Sequence, residues 1–358
     1  MSTQPYTFEG WLSHDKSSAD GKMTWEIYEP KPWEETDVDI RITHCGVCGS
    51  DLHVMRSGWG ETPYPLAVGH EIVGIAVRVG SAADGGIQVG DRVGVGAQSD
   101  SCQTCEDCTA AAPNFCDGFV PTYGGFFPGT GAKSMGGYAK YSRVPSRFII
   151  KIPDSLDSAF AAPMLCGGVT VFSPLMHLGN PGGGLAGMKV GVVGIGGLGH
   201  FAVLFAKALD ADQIVGISRR AEKREDSLKL GCDKYISTEE DENWRDENYK
   251  SLNLIISTVS SSEALMADYM TLLKRDGTMC QLGNPDDGDF KISAFMVMQR
   301  VKFTGSMVGS PTEIRQMLQF AADYKIKPWI QEWPMTEANE AILDLQAGKP
   351  RYRYVLVN

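Results

Sequence analysis

The sequence is short of positive charge. Its 358 residues carry 33 Lys and Arg against 44 Asp and Glu, a formal net charge of −11. That balance argues against bulk binding to nucleic acid or an anionic membrane, and says nothing about fold. Long apolar runs are scarce too: none approaches the roughly 20 residues that a membrane helix needs. The opening stretch, MSTQPYTFEGWLSHDKSSAD, has no basic region followed by an apolar one, so no secretory signal is expected. Internal repeats and low-complexity segments are missing. The nine cysteines are an odd number, which suits thiols in a reducing compartment better than a disulfide framework. A cytoplasmic location is the expectation, with no nucleic-acid or membrane partner.

What is present is ordinary for a globular protein: 43% hydrophobic and 22% charged residues. The chain is too long for one compact core, so two domains are expected. Residues 1–160 are rich in glycine and in short β-branched runs such as Val38–Ile42, Ile72–Val79 and Arg92–Val95. Turns such as Asp84-Gly-Gly86 and Val89-Gly-Asp91 separate them, which predicts a β-barrel-like domain with long loops. Over 161–300 strand and helix patterns alternate. Lys189–Val193, Gln213–Ser218, Tyr235–Ile236, Asn253–Thr258, Thr278–Leu282 and Val301–Thr304 read as strands; Leu198–Leu209 and Arg224–Leu230 read as helices. That alternation predicts a parallel, doubly wound α/β sheet. Residues 301–358 supply its last strand and then return to the first domain. The charged stretch Glu239–Asn248 reads as a solvated loop.

Four cysteines, Cys102, Cys105, Cys108 and Cys116, follow the pattern C-x2-C-x2-C-x7-C. Four thiolates this close can surround one tetrahedral Zn²⁺ and leave no open position, a site that holds a loop and does no chemistry. A second set is then left over: Cys48, His70 and Cys166, with Glu71 beside them. Three ligands and a vacant position describe a catalytic zinc. Cys45 competes with Cys48 for this role, and spacing does not choose between them.

The run Val190–Val193 delivers the chain to Gly194-Ile-Gly-Gly-Leu-Gly199. Glycines there permit a tight turn and a close approach of backbone to a pyrophosphate, and the following helix N-terminus faces the phosphates. About 20 residues on, an acid would bind the ribose diol of NAD. This chain has Ser218-Arg219-Arg220, with Lys223 close behind. No carboxylate repels a 2′-phosphate, and cations attract it, so NADP(H) is the expected cofactor.

These motifs resemble those of the zinc-dependent medium-chain alcohol dehydrogenases over nearly the whole chain, within them the cinnamyl-alcohol-dehydrogenase-like, NADP(H)-dependent branch. The resemblance rests on Cys45-Gly-Val-Cys-Gly-Ser-Asp-Leu-His53, Val68-Gly-His-Glu-Ile72, Val89-Gly-Asp-Arg-Val-Gly-Val-Gly96 and the four-cysteine run. Leu165-Cys-Gly-Gly-Val-Thr170, the glycine turn and Arg351-Tyr-Arg-Tyr354 complete it. It implies a Rossmann domain beside a GroES-like β-barrel catalytic domain. It implies two zinc ions per chain, the catalytic one on Cys48, His70 and Cys166, with Glu71 able to swing in.

The same resemblance assigns roles to single residues. Ser50 matches the hydroxyl that meets the alcohol, His53 the outer end of a proton relay through the nicotinamide ribose, and Asp51 an acid that orients the ligands. Thr170 matches a nicotinamide-side contact, and Gly194, Gly196, Gly197, Leu198 and Gly199 the pyrophosphate turn. Ser218, Arg219 and Lys223 match a 2′-phosphate site. Ser257–Val259 with Thr258, Gly283 and Ser306–Met307 match the surroundings of the nicotinamide, and Arg353 a tail arginine near the pyrophosphate. Gly49 departs from the pattern, since many relatives carry a histidine there. Met55, Trp59, Phe119 and Met307 are apolar candidates for the substrate pocket, and Phe119–Ser134 is expected as a loop at its mouth.

The activity implied is hydride transfer between NADP(H) and a primary alcohol or aldehyde, aromatic or medium-chain. A polyol dehydrogenase of the same superfamily would favour an acid at position 218. A non-catalytic NADPH-binding regulator would lack a ligand or the relay. A homodimer joined near Val301–Ser306 is also implied.

Overall fold

The computed structural model describes residues 6–261, 265–285 and 288–358. It divides into two compact units, Met1–Cys166 with Gly309–Asn358, and Gly167–Val308.

The first unit is built on Asp37–Val47, an 11-residue strand. Val38, Ile40 and Ile42 recur at every second position and are all buried, as one face of a strand requires. Fully burying such a side chain is worth about 1.5–3 kcal/mol. The strand runs antiparallel to Ile72–Val79, Tyr141–Pro145 and Arg353–Val357. Arg92–Val95, Ile149–Lys151 and Ile330–Pro334 extend the sheet to seven strands. The C-terminal strand therefore lies in the same sheet as the N-terminal third of the chain. Helix Pro311–Asp323 starts on a capping box in which Ser310 and Glu313 satisfy each other's backbone N–H groups. Its Ile314, Met317, Leu318 and Ala321 are buried, the one-sided spacing of a surface helix.

The second unit holds six parallel strands in the order Lys234–Ser237, Gln213–Ser218, Lys189–Val193, Leu252–Ser257, Leu273–Gln281, Lys302–Gly305. Counted along the chain that order is 3-2-1-4-5-6, the doubly wound dinucleotide-binding arrangement. Its first strand leads into the glycine turn and helix Gly199–Ala208. Strands covered on both faces read as near-continuous apolar runs, which is why Lys189–Val193 and Gln213–Ser218 match their expected bounds. Strand Leu273–Gln281 begins earlier than expected, because Leu273 pairs with Leu252 across a bulge.

Two expectations need correcting. The charged stretch 239–248 is not all solvated loop: Trp244 opens the short helix Trp244–Glu247 and is buried in the apolar cluster of this unit. One aromatic among the charges is enough to anchor the segment. Nor are long apolar segments missing. Ser158–Leu178 forms a 21-residue helical stretch of mean hydropathy 1.5, long and apolar enough to cross a membrane. Its apolar window is 89% buried within the protein, so it is a core helix here. Pro163 and Pro174 and a glycine pair interrupt the run in the sequence, yet the helix continues through them with a π segment at Met164–Gly168.

Candidate active site and metal centres

Strand pairing gathers the first metal set. Cys48 follows the long strand Asp37–Val47 and caps helix Gly49–Met55. His70 and Glu71 precede Ile72, which pairs with Cys45, so residues 70–71 arrive opposite residues 46–48. Cys166 comes from the π segment, where the extra residue re-aims a side chain. One ligand atom from each of Cys48, His70, Glu71 and Cys166 lies within 4.8 Å of the others, and all four residues are buried.

His70 shows which atom would bind. Its Nε2 is buried and has no hydrogen-bond partner. Its Nδ1 lies 3.2 Å from the Tyr123 hydroxyl and 3.3 Å from Asp51 Oδ1. A ligating imidazole uses one nitrogen and anchors the other in this way, so the site fits a metal. Asp51 is fully buried and accepts from the Cys48 N–H at 2.9 Å, the Tyr138 hydroxyl at 3.1 Å and the Gly69 N–H at 3.2 Å. Burial works against charge on His70, yet Asp51 and Cys48 hold its pKa well above the usual value. A hydrogen bond from Cys166 holds the Cys48 thiol well below its usual range, while Cys166, the donor, is pushed well above. Of the two sulfurs, Cys48 is the one held toward the thiolate.

Cys45 is not in this cluster. It is buried on the strand with its Sγ 3.6 Å from the Gly46 carbonyl oxygen, and burial pushes its thiol well above the usual range. Within the cluster, Glu71 is bound by Arg353. The guanidinium Nη2 meets both carboxylate oxygens, at 2.5 and 2.6 Å. Burial pushes the Glu71 carboxyl up, to about 7, against the pull of Arg353. An added Cβ at Gly46 would collide with Glu71 Oε2, so only glycine fits there. Arg353, expected near a pyrophosphate, has Glu71 as its observed partner.

Ser50 Oγ lies 3.6 Å from Cys48 Sγ. The His53 ring stacks on Trp59, with centroids 4.8 Å apart and planes within 10°. Trp59 is exposed and Phe119 is half-buried. Met55 belongs to the hydrophobic core, which removes it from the pocket candidates. The segment 119–134 is more than a loop. Val120–Pro121 pairs with Gln98–Asp100, and Tyr123 points into the metal cluster.

The four-cysteine set also converges. Its sulfurs lie within 4.8 Å of one another, with Cys116 and Cys102 3.4 Å apart and Cys102 and Cys108 4.0 Å apart. All are free thiols. Cys105 caps the short helix Glu106–Thr109, and its N–H donates to Cys102 Sγ at 3.4 Å. The Gly118 N–H donates to Cys116 Sγ at 3.2 Å. Backbone donors aimed at sulfur favour the thiolate form that a metal needs.

The second unit carries the cofactor candidates. Gly194 turns with φ 87°, and a Cβ on Gly199 would collide with the Gly194 carbonyl oxygen. Thr258 Oγ1 donates to the Val193 and Gly194 carbonyl oxygens at 3.0 and 2.8 Å, and Lys223 Nζ to that of Ile195 at 2.7 Å. Ser218 ends its strand half-buried, and Arg219 is exposed beside it. Arg220 faces Glu222 at 3.8 Å and Glu239 at 3.7 Å, which compromises it as a phosphate ligand. Gln281, a residue no motif singled out, bridges the Val259 and Gly283 carbonyl oxygens at 2.7 Å each. Ser306 donates to Gln281 O at 3.4 Å, and Met307 is exposed. These groups lie at the carboxyl ends of the parallel strands, where such sheets bind ligands. Thr170 Oγ1 is buried with no hydrogen-bond partner. The residues present fit a dinucleotide.

Comparison with known proteins agrees. Residues 34–154 match the family described as alcohol dehydrogenase GroES-like domain, and residues 197–323 the family described as zinc-binding dehydrogenase. NADP-dependent alcohol dehydrogenase 6 of Saccharomyces cerevisiae is 40% identical, over 92% of this chain and 91% of that one. This chain belongs to the zinc-dependent alcohol dehydrogenase family. Among solved members of the family, a cinnamyl alcohol dehydrogenase of Sorghum bicolor superposes with a TM-score of 0.92 at 34% identity, covering 98% of each chain. A cinnamyl alcohol dehydrogenase of Helicobacter pylori complexed with NADP(H) superposes with a TM-score of 0.89 at 30% identity, covering 99% of each chain.

Proposed function

We propose that this protein is a zinc-dependent alcohol dehydrogenase and aldehyde reductase that moves a hydride between NADP(H) and a small alcohol or aldehyde. The observation that carries this is the convergence of Cys48, His70 and Cys166 from three distant segments, with the unpartnered His70 Nε2 among them. Cys48, His70 and Cys166 would hold the catalytic zinc, and Cys102, Cys105, Cys108 and Cys116 a structural one. When bound, zinc polarises a carbonyl oxygen as a Lewis acid and NADPH supplies the hydride.

This chain's own residues do the rest. Asp51 orients His70. Arg353 binds Glu71. Ser50 donates a proton to the substrate oxygen, and His53 makes good the loss. Gly194–Gly199 and the following helix terminus receive the pyrophosphate, Ser218, Arg219 and Lys223 the 2′-phosphate, and Thr170, Thr258, Gly283 and Ser306 the nicotinamide end. Trp59, Phe119 and Met307, each with exposed apolar surface, favour an aromatic or medium-chain aldehyde over a polyol.

The protein acts in the cytoplasm as a homodimer. Among the described residues, edge strand Lys302–Gly305 pairs with a strand on one side only. Phe295 and Met298 on the neighbouring helix Ala294–Met298 are 66% and 81% exposed, an apolar surface suited to a second copy. The test of function is NADPH oxidation followed at 340 nm across a panel of aldehydes and keto-sugars. Turnover confined to keto-sugars would replace this reading with a polyol dehydrogenase. Binding without turnover would leave a regulator.

A further inference from the structure

No motif in the sequence singles out Tyr123, yet its hydroxyl sits where the metal ligands are held in place. It lies 3.2 Å from His70 Nδ1, and the two rings are 5.5 Å apart. Asp51 Oδ1 lies 3.3 Å from the same His70 Nδ1. Tyr123 and Asp51 thus face one ring nitrogen.

We infer that Tyr123 is a positioning residue for the catalytic metal. Its hydroxyl accepts from His70 Nδ1–H, fixing the tautomer that leaves Nε2 to the metal. The inference rests on the reading of Cys48, His70 and Cys166 as zinc ligands.

The need for a second acceptor follows from what Asp51 already does. A carboxylate offers about four lone-pair sites. Asp51 gives three of them to the Cys48 N–H, the Tyr138 hydroxyl and the Gly69 N–H. Its remaining contact with His70, at 3.3 Å, is longer than the usual N–H···O range of about 2.7–3.2 Å. By itself it holds the imidazole weakly. Tyr123 shares the same N–H from another direction.

The position is built for this. Tyr123 is 5% exposed. Before it, the Thr122 N–H donates to Ala97 O at 3.0 Å and the Thr122 hydroxyl to Gly96 O at 2.5 Å. After it, the Gly124 N–H donates to Ser134 O at 3.0 Å. Phenylalanine would fill the same space. A buried hydroxyl is tolerated where it has a partner, and here the partner is a candidate metal ligand.

The experiment compares wild type, Tyr123→Phe and His70→Ala as full-length, zinc-loaded proteins. Each is titrated with a chromophoric chelator while bound zinc is counted, and each is reconstituted with Co²⁺ for its visible spectrum. Tyr123→Phe should surrender one zinc about 10–100-fold more readily than wild type, the usual effect of losing a partner of a metal-bound histidine. Its second zinc should leave as in wild type, its thermal midpoint in excess zinc should stay near wild type, and its cobalt bands should shift. A Tyr123→Phe protein that holds both metals as wild type does, with an unchanged cobalt spectrum, overturns the inference. If His70→Ala keeps both metals at wild-type affinity, the ligand assignment itself fails and the role of Tyr123 falls with it.

Discussion

Arg353 Nη2 meets both carboxylate oxygens of Glu71, and both side chains are buried beside Cys48, His70 and Cys166. Arg353 lies on the last strand and Glu71 at the start of Ile72–Val79, 282 residues earlier in the chain. The pair engages a fourth potential ligand that lies within 4.8 Å of the other three, and glycine at position 46 leaves room for it.

Arg353→Met should therefore destabilise the protein by about 3–5 kcal/mol, since it leaves a buried carboxylate without its partner. The loss should depend on pH. Beside Arg353 the Glu71 pKa is about 7, and without the guanidinium burial acts unopposed and raises it further. A folded-state pKa above the unfolded value means that stability falls as pH rises between the two. At pH 6 both proteins hold Glu71 mostly protonated and differ little from this cause; above about pH 7 wild type loses no more stability by this route, while the variant goes on losing it. Urea unfolding of the zinc-loaded proteins at both values checks this. An equal deficit at pH 6 and pH 8 would show that the guanidinium acts through packing alone.

The two metal sets should come apart under mutation. Wild type should carry two zinc ions per chain. Cys105→Ser should lose one of them and lower the thermal midpoint, because a structural zinc contributes folding free energy. His70→Ala should lose the other, abolish turnover and still bind NADPH. Metal analysis with calorimetry of NADPH binding reads all three. One zinc per chain in the wild type would remove one of the assignments.

Turnover should fall by about 10²–10⁴-fold in Ser50→Ala and His53→Ala with zinc retained, the usual scale of general acid–base catalysis. Unchanged turnover in His53→Ala would exclude His53 from the relay.

Cofactor choice is the fourth test. A hydrogen bond to a charged group contributes about 1.5–3 kcal/mol, so Arg219→Ala should weaken NADPH by about 10–100-fold and NADH far less. Ser218→Asp should reverse the preference, by repelling the 2′-phosphate and offering an acceptor to a ribose diol. Arg220→Ala should matter less than Arg219→Ala, since Glu222 and Glu239 already face Arg220. The measurement is kcat/KM for both cofactors with one aldehyde held saturating. Equal weakening of NADPH and NADH by Arg219→Ala would contradict the phosphate site.

Much of the architecture was legible because its signals are local. Lys189–Val193, Gln213–Ser218 and Arg224–Leu230 sit at their expected bounds, since apolar runs and turn residues declare themselves within a few positions. The glycine turn and the four-cysteine run are legible for the same reason: each folds a short segment around a ligand. Trp244 was hidden because charged neighbours mask one buried ring, and the helix Ser158–Leu178 because prolines and glycines break its apolar count.

By itself the sequence determined which chemistry the chain carries, through residue types at short spacings: thiols for metal, glycines for phosphate, cations at the end of the second strand. Only the tertiary structure decided between Cys45 and Cys48. Three residues apart, one faces the core and the other opens a helix beside His70, and spacing carries no information about which side a residue faces. Tertiary structure also brought Arg353 to Glu71 and Tyr123 to His70. Those partners come from different strands of one sheet or from the segments attached to it, so strand pairing, not proximity along the chain, places them together.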